Sequence, residues 1–168
     1  MAGGATADIL RGYRPGVIGR CVELHAQTYS RLAGFGRFFE ARVAAGLAEF
    51  ADRLDRPGNG FWAACRGERI VGTIAIDGED LGAGTAHLRW FIVAEEERGS
   101  GLGRRLLDEA IGFSDAQGLA GIRLWTFRGL DAARRLYEAA GFRLEEERPG
   151  RQWGEEVVEQ CFHRPRPR

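Results

Sequence analysis

A chain of 168 residues with 44% apolar side chains is long enough to bury one real core and short for two. Its 24 basic and 24 acidic residues cancel, so no global field draws it to nucleic acid or to a membrane surface. No apolar run approaches the length of a membrane span, and the opening MAGGATADILRG lacks the basic start and apolar core of a secretory signal.

In chain order, residues 8–12 read as a short edge strand. A helix is expected over 16–31, with Val17, Ile18, Val22, Leu24 and Ala26 as its apolar positions, broken by Gly34 and Gly36. A second helix over 37–54 sets Phe39, Val43, Leu47, Phe50 and Leu54 on one face. Arg-Pro-Gly-Asn-Gly at 56–60 is a loop. Strands at 61–65 and 70–76, joined by the tight turn Arg66-Gly67-Glu68, form an antiparallel hairpin. After a glycine-bounded turn at 78–84, a longer strand covers 85–93. A helix over 101–117 carries Leu102, Leu106, Leu107, Ala110 and Ile111 and stops at Gly118. A strand at 121–126 and a helix at 130–140 ending on Gly141 follow, and strands near 142–148 and 155–162 close the chain as a hairpin. This describes one domain over residues 1–163, with Arg164-Pro-Arg-Pro-Arg168 as a loose basic tail. Cys21, Cys65 and Cys161 are odd in number and scattered, which reads as reduced thiols in the cytoplasm and gives no zinc site.

The most informative stretch lies between the strand at 85–93 and the next helix: Arg98-Gly-Ser-Gly-Leu-Gly103. Glycines let backbone N–H groups approach an anion without a Cβ in the way, and a helix start supplies unpaired donors and partial positive charge. Arg104 and Arg105 follow in the first turn, where the helix dipole disfavours cations unless something negative is bound. This is the composition of a phosphate cradle. It is not a P-loop, because the chain contains no lysine. It is not a dinucleotide fingerprint either: Arg104 or Leu106 stands where the third glycine belongs, and the next strand ends in Trp125-Thr126 without a carboxylate.

The pattern Arg-x-x-Gly-x-Gly resembles the pyrophosphate loop of the GNAT superfamily, the acyl-CoA-dependent N-acyltransferases. Thirty residues after Gly103, the run from Ala133 through Tyr137 to Gly141-Phe142 resembles that family's second signature, Ala-x-x-x-Tyr-x-x-x-Gly-Phe. The resemblance covers residues 60–163 well and the N-terminal third loosely. It implies the α/β (α+β) GNAT fold, a central mixed, mostly antiparallel twisted sheet of six or seven strands with helices on both faces. It also implies acetyl-CoA as co-substrate without a metal, and direct acetyl transfer to a primary amine in a ternary complex. The acceptor would be a small-molecule or amino-acid-like amine, with neither nucleic acid nor membrane as partner, on a monomer or homodimer.

Residue by residue, the resemblance implies that Arg98, Gly99, Ser100, Gly101, Leu102, Gly103 and Arg104 hold the cofactor's phosphates. Backbone N–H groups of Phe91, Ile92 and Val93, on a strand that splays from its neighbour, would polarise the thioester and pair with the pantetheine arm. Tyr137 takes the place of the general acid that protonates the departing thiolate. Many members carry a carboxylate base 11 residues before the loop's first residue; here that count reaches His87, a group able to accept a proton near neutrality. His25, Tyr29 and Glu40 on the two N-terminal helices are acceptor-site candidates. One departure stands out. Relatives often carry asparagine where this chain has Phe127, so Arg128 or Arg134 is expected to reach a phosphate instead. That departure and the missing carboxylate support a competing reading, a domain that binds acyl-CoA without turnover. The cues Gly12-Tyr-Arg-Pro-Gly16, Phe39-Glu-Ala-Arg-Val43 and Ala132–Phe142 also resemble the acetyltransferase half of bacterial MarR–GNAT fusions, here without a winged-helix segment.

Overall fold

A computed structural model describes residues 6–168. The elements are β1 (Asp8–Arg11), α1 (Val17–Ala33), α2 (Arg37–Ala51), β2 (Gly60–Arg66), β3 (Arg69–Asp77), β4 (Thr85–Val93), α3 (Leu102–Ala116), β5 (Gly121–Phe127), α4 (Asp131–Ala139), β6 (Arg143–Gly150) and β7 (Val157–Pro165). All seven expected strands and four helices are present in the expected order, with ends that coincide or differ by at most three residues. The helix α1 runs past 31 because Gly34, at φ 69, closes it: the Gly34 N–H reaches Ser30 O and the Phe35 N–H reaches Tyr29 O. That cap brings Phe35 against Tyr29, with ring centroids 6.1 Å apart.

The strands form one sheet in the order β1-β2-β3-β4-β5-β7-β6. Every neighbouring pair is antiparallel except β4–β5, which is parallel and connected through α3. Successive side chains of a strand face opposite ways, so Phe61, Ala63 and Cys65 of β2 join a core with α1 and α2, while Trp62 and Ala64 join the core under α3. Tyr137, Ala133 and Leu136 of α4 pack into that second core, and the sheet is therefore covered on both faces.

Two irregularities interrupt this regularity, and both concern β4. Residue Thr73 pairs with Ile92 and Ala75 with Arg89, so two steps along β3 match three along β4. The extra residue makes a bulge at Trp90, whose φ is 47, and turns its ring to the α1–α2 side, 5.3 Å from Phe50, while Ala86, Leu88 and Ile92 face α3. A left-handed conformation at a non-glycine residue costs about 1–3 kcal/mol. Here Thr73 Oγ1 donates to Trp90 O at 2.7 Å and holds it. The second irregularity is where pairing stops: β4 and β5 are in register only over 85–87 with 121–123, and beyond His87–Arg123 the strands part.

The expected loose tail is corrected over residues 164–166. The strand β7 extends to Pro165, Arg164 makes a two-pronged pair with Asp115 at 2.9 and 3.0 Å and donates to Ala140 O, and the Arg166 N–H reaches Ala120 O. A guanidinium beside a carboxylate and a free carbonyl orders the chain that its proline and arginine content alone would leave loose.

Candidate active site

Where β4 and β5 part, two cavities open that have wall residues in common. The larger, about 760 Å³, lies under the glycine loop. Its walls are the end of β4 (Phe91, Ile92, Val93), the loop with the start of α3 (Arg98 to Arg104, without Ser100), Thr28 and Leu32 of α1, and the start of α4. The glycines have separate jobs. Gly99 (φ 76) and Gly101 (φ 83) take a left-handed backbone that bends the chain into the helix. Gly103 lets α3 come close, since a Cβ there would lie 3.3 Å from Leu136 Cδ1 and 3.6 Å from Phe91 Cζ. In the first turn of α3 the N–H groups of Gly103 and Arg104 have no helical acceptor and remain available to an anion. Of the two carboxylates lining this cavity, Glu97 is neutralised by Arg66, with Nε to Oε1 at 2.6 Å.

The second cavity, about 640 Å³, faces α1 and α2. Its floor is aromatic: Tyr29, Phe35, Phe39, Phe127 and Trp153 touch one another at centroid distances of 5.1–6.1 Å. On the β4 side stands His87, its Nδ1 at 2.7 Å from Asp80 Oδ2 and its ring edge-on to Trp125 at 4.9 Å. The carboxylate accepts the Nδ1 proton and leaves Nε2 as the ring's basic nitrogen.

Among the described residues, only Tyr29, Phe91 and Tyr137 line both cavities. Tyr137 is buried among Phe91, Phe142 and Phe162, and its hydroxyl has no hydrogen-bond partner among the described residues. Burial, with Tyr29 nearby, pushes its pKa well above that of a free phenol. Burial likewise pushes Tyr29 up to about 12, against the opposing field of Arg98. Both phenols hold their protons at neutral pH.

A family model described as the acetyltransferase (GNAT) family matches residues 21–142. The chain belongs to the GNAT family of N-acetyltransferase enzymes. Among curated proteins, N-acetyltransferase 8B of Rattus norvegicus is 33% identical over 92 residues, 53% of this chain and 41% of that protein; the chain therefore matches well under half the length of this relative. Among solved structures, YncA from Salmonella typhimurium, solved with its cofactor acetyl-CoA, superposes with a TM-score of 0.77 at 15% identity, covering 98% of this chain and 96% of that one. A GNAT-family acetyltransferase from Staphylococcus aureus gives 0.74 at 21% identity, covering 96% and 99%. These likenesses establish the GNAT fold.

Within this GNAT domain the expected residues divide. Tyr137, Tyr29, Phe91, Ile92, Val93, Arg98, Gly99, Gly101, Leu102, Gly103 and Arg104 come together around the cavity under the loop. His87, His25 and Tyr29 line the other. His25 is buried, its Nδ1 donating to Cys21 O at 2.8 Å, and burial pushes its pKa down to about 4, so it presents a neutral ring. Four expectations are displaced. Glu40 is exposed and lines neither cavity, because it lies on the outer face of α2. The exposed Ser100 instead spends its hydroxyl on the loop itself, donating to Glu97 O and accepting from the Leu102 N–H, and so shapes the loop. Arg128 pairs with Glu147, and Arg134 pairs with Glu138 at 2.8 Å; the α4 arginine lining the cavity is Arg135. Arg105 donates to Ala7 O, away from the loop.

Three contributors were missed from the sequence. Asp80, Thr28 and Glu159 carry no motif, and each reaches the site through tertiary contact. The position of Phe127 also becomes intelligible: it belongs to the aromatic floor, 5.3 Å from Phe35.

Proposed function

We propose that this chain transfers an acetyl group from acetyl-CoA to a primary amine, by direct attack within a ternary complex in the cytoplasm. The supporting observation is that two cavities share Tyr29, Phe91 and Tyr137 in their walls, which sets donor and acceptor against the same three side chains. None of the three cysteines lines either cavity, in keeping with transfer that needs no acyl-enzyme stage.

The cavity under the loop fits acetyl-CoA on its own chemistry. Free helix N–H groups and Arg98, Arg104 and Arg135 suit a pyrophosphate, and the β5-facing edge of β4 beyond His87, which has no partner strand, suits the amide-bearing pantetheine arm. Acetyl-CoA supplies an activated thioester. The chain's residues supply the rest: His87 Nε2, oriented by Asp80, takes a proton from the amine; backbone N–H groups of the bulged β4 stretch face the developing oxyanion; and Tyr137 gives its proton to sulfur.

Calorimetric titration with acetyl-CoA is the first test, with saturable binding expected and an absence of binding at millimolar ligand overturning the assignment. Thiol release is then followed with a panel of simple amines, amino-acid amides and peptides. Binding without release across the panel would reduce the chain to an acyl-CoA sensor.

A further inference from the structure

Glu159 is a buried carboxylate, 8% exposed, on the wall of the acceptor-side cavity. Its partners are neutral: the backbone N–H and the side-chain amide of Gln152, each at 2.9 Å, on different carboxylate oxygens. No cation lies within salt-bridge distance among the described residues. The chain nevertheless makes room for it. A Cβ on Gly150 would sit 2.2 Å from Glu159 Oε1, so a side chain there would occupy the carboxylate's place. Around it the cavity is aromatic: Phe127 is the cross-strand partner of Glu159, Trp153 adjoins Gln152, and Phe35 touches both rings.

We propose that Glu159, with the rings of Phe127, Trp153 and Phe35, is a subsite for a second, non-reacting cationic group on the amine acceptor. A carboxylate desolvated against neutral donors is incompletely compensated, and a cation brought by a ligand completes it. The π faces beside it attract ammonium groups in the same way. Glu159 lines the acceptor-side cavity and is absent from the cofactor-side one and from the three side chains the two share. The arginines of the same cavity are otherwise disposed. Arg89 faces Asp77 at 3.4 Å and Asp80 at 3.6 Å, Arg42 lies over the Phe38 ring at 4.8 Å, and Arg148, though opposite Glu159 in register, turns to Glu146 at 3.5 Å.

The inference rests on the acyl-transfer reading, and the test separates the two. Cadaverine and its singly charged analogue n-hexylamine are compared by kcat/KM in the wild type and in Glu159→Gln. Cadaverine should be favoured at least about tenfold, and the substitution should remove most of that preference, the usual scale for a hydrogen bond to a charged group. A wild-type ratio near one overturns the proposal. So does an equal loss for both amines in the folded variant, which would place Glu159 in general catalysis or in folding. Calorimetry with n-pentyltrimethylammonium, which has no acetylatable nitrogen, reads the subsite without turnover. Binding in the wild type that weakens about tenfold in Glu159→Gln supports it even if no amine is acetylated, and equal affinities overturn it.

Discussion

The tyrosine shared by the walls of the two cavities, Tyr137, keeps its proton until charge builds on a nearby atom, because burial opposes its ionisation. Tyr137→Phe retains the ring contacts with Phe91, Phe142 and Phe162. Steady-state kinetics on the variant should show kcat lowered by roughly 10²–10⁴ with acetyl-CoA affinity nearly intact, the range for a positioned general acid. A variant keeping more than about half the wild-type kcat, with chemistry rate-limiting, excludes that role. His25 makes a prediction of another kind. Its pKa falls from 6.5 to about 4 on folding, so the unfolded chain binds the extra proton between those values. The stability it contributes is fully present above pH 6.5 and is lost as pH falls towards 4, at about 1.4 kcal/mol per unit. Urea unfolding at pH 7 and pH 5.5 should therefore show a drop that His25→Gln reduces; an unchanged drop assigns acid sensitivity elsewhere. Tyr137 and His87 were legible because motif spacing fixes them along one helix and one strand. Asp80 and Glu159 were not, since a turn and a β6–β7 contact deliver them, and neither leaves a periodic trace.

At the level of elements, the arrangement around His87 depends on a pair that no periodicity reveals. Asp77, fully buried at the end of β3, is gripped by both terminal nitrogens of Arg53, which follows α2. Burial, the largest single influence, would raise the Asp77 carboxyl, but the Arg53 hydrogen bonds and charge together with the N–H groups of Glu79 and Asp80 outweigh it, and the net shift is downward. The same carboxylate accepts the N–H groups of Glu79 and Asp80, and so sets the turn that carries Asp80 to His87. Asp77→Asn leaves the largely buried Arg53 guanidinium with only the partly exposed Glu79 as counter-ion and should cost about 1–3 kcal/mol in denaturant unfolding. A loss under about 1 kcal/mol would show the pair to be peripheral. The elements themselves were legible, since apolar periods of two and of three to four recur throughout and glycine marks most helix ends. The bulge in β4 was hidden: its left-handed residue is Trp90, and an extra residue in one strand is apparent only against its partner.

Across the whole molecule, six antiparallel and parallel pairings make a continuous sheet, yet the one parallel pairing ends after three residue pairs. The fold was expected from two motifs in order; the depth of the cleft was not, because where a ladder stops is decided by how two half-sheets twist away from each other. That short ladder leaves β4 beyond His87 in the middle of a protein with main-chain groups on its β5 side that have no strand to bond. Such groups should behave in hydrogen–deuterium exchange like those of a surface segment. Amides of Leu88–Val93 that point towards β5 should exchange orders of magnitude faster than those pointing towards β3, although both belong to a central strand. Saturating acetyl-CoA should slow the first group selectively, leaving a footprint that records donor binding with no knowledge of the acceptor. Uniform protection in the free protein would mean that the two strands close on each other in solution.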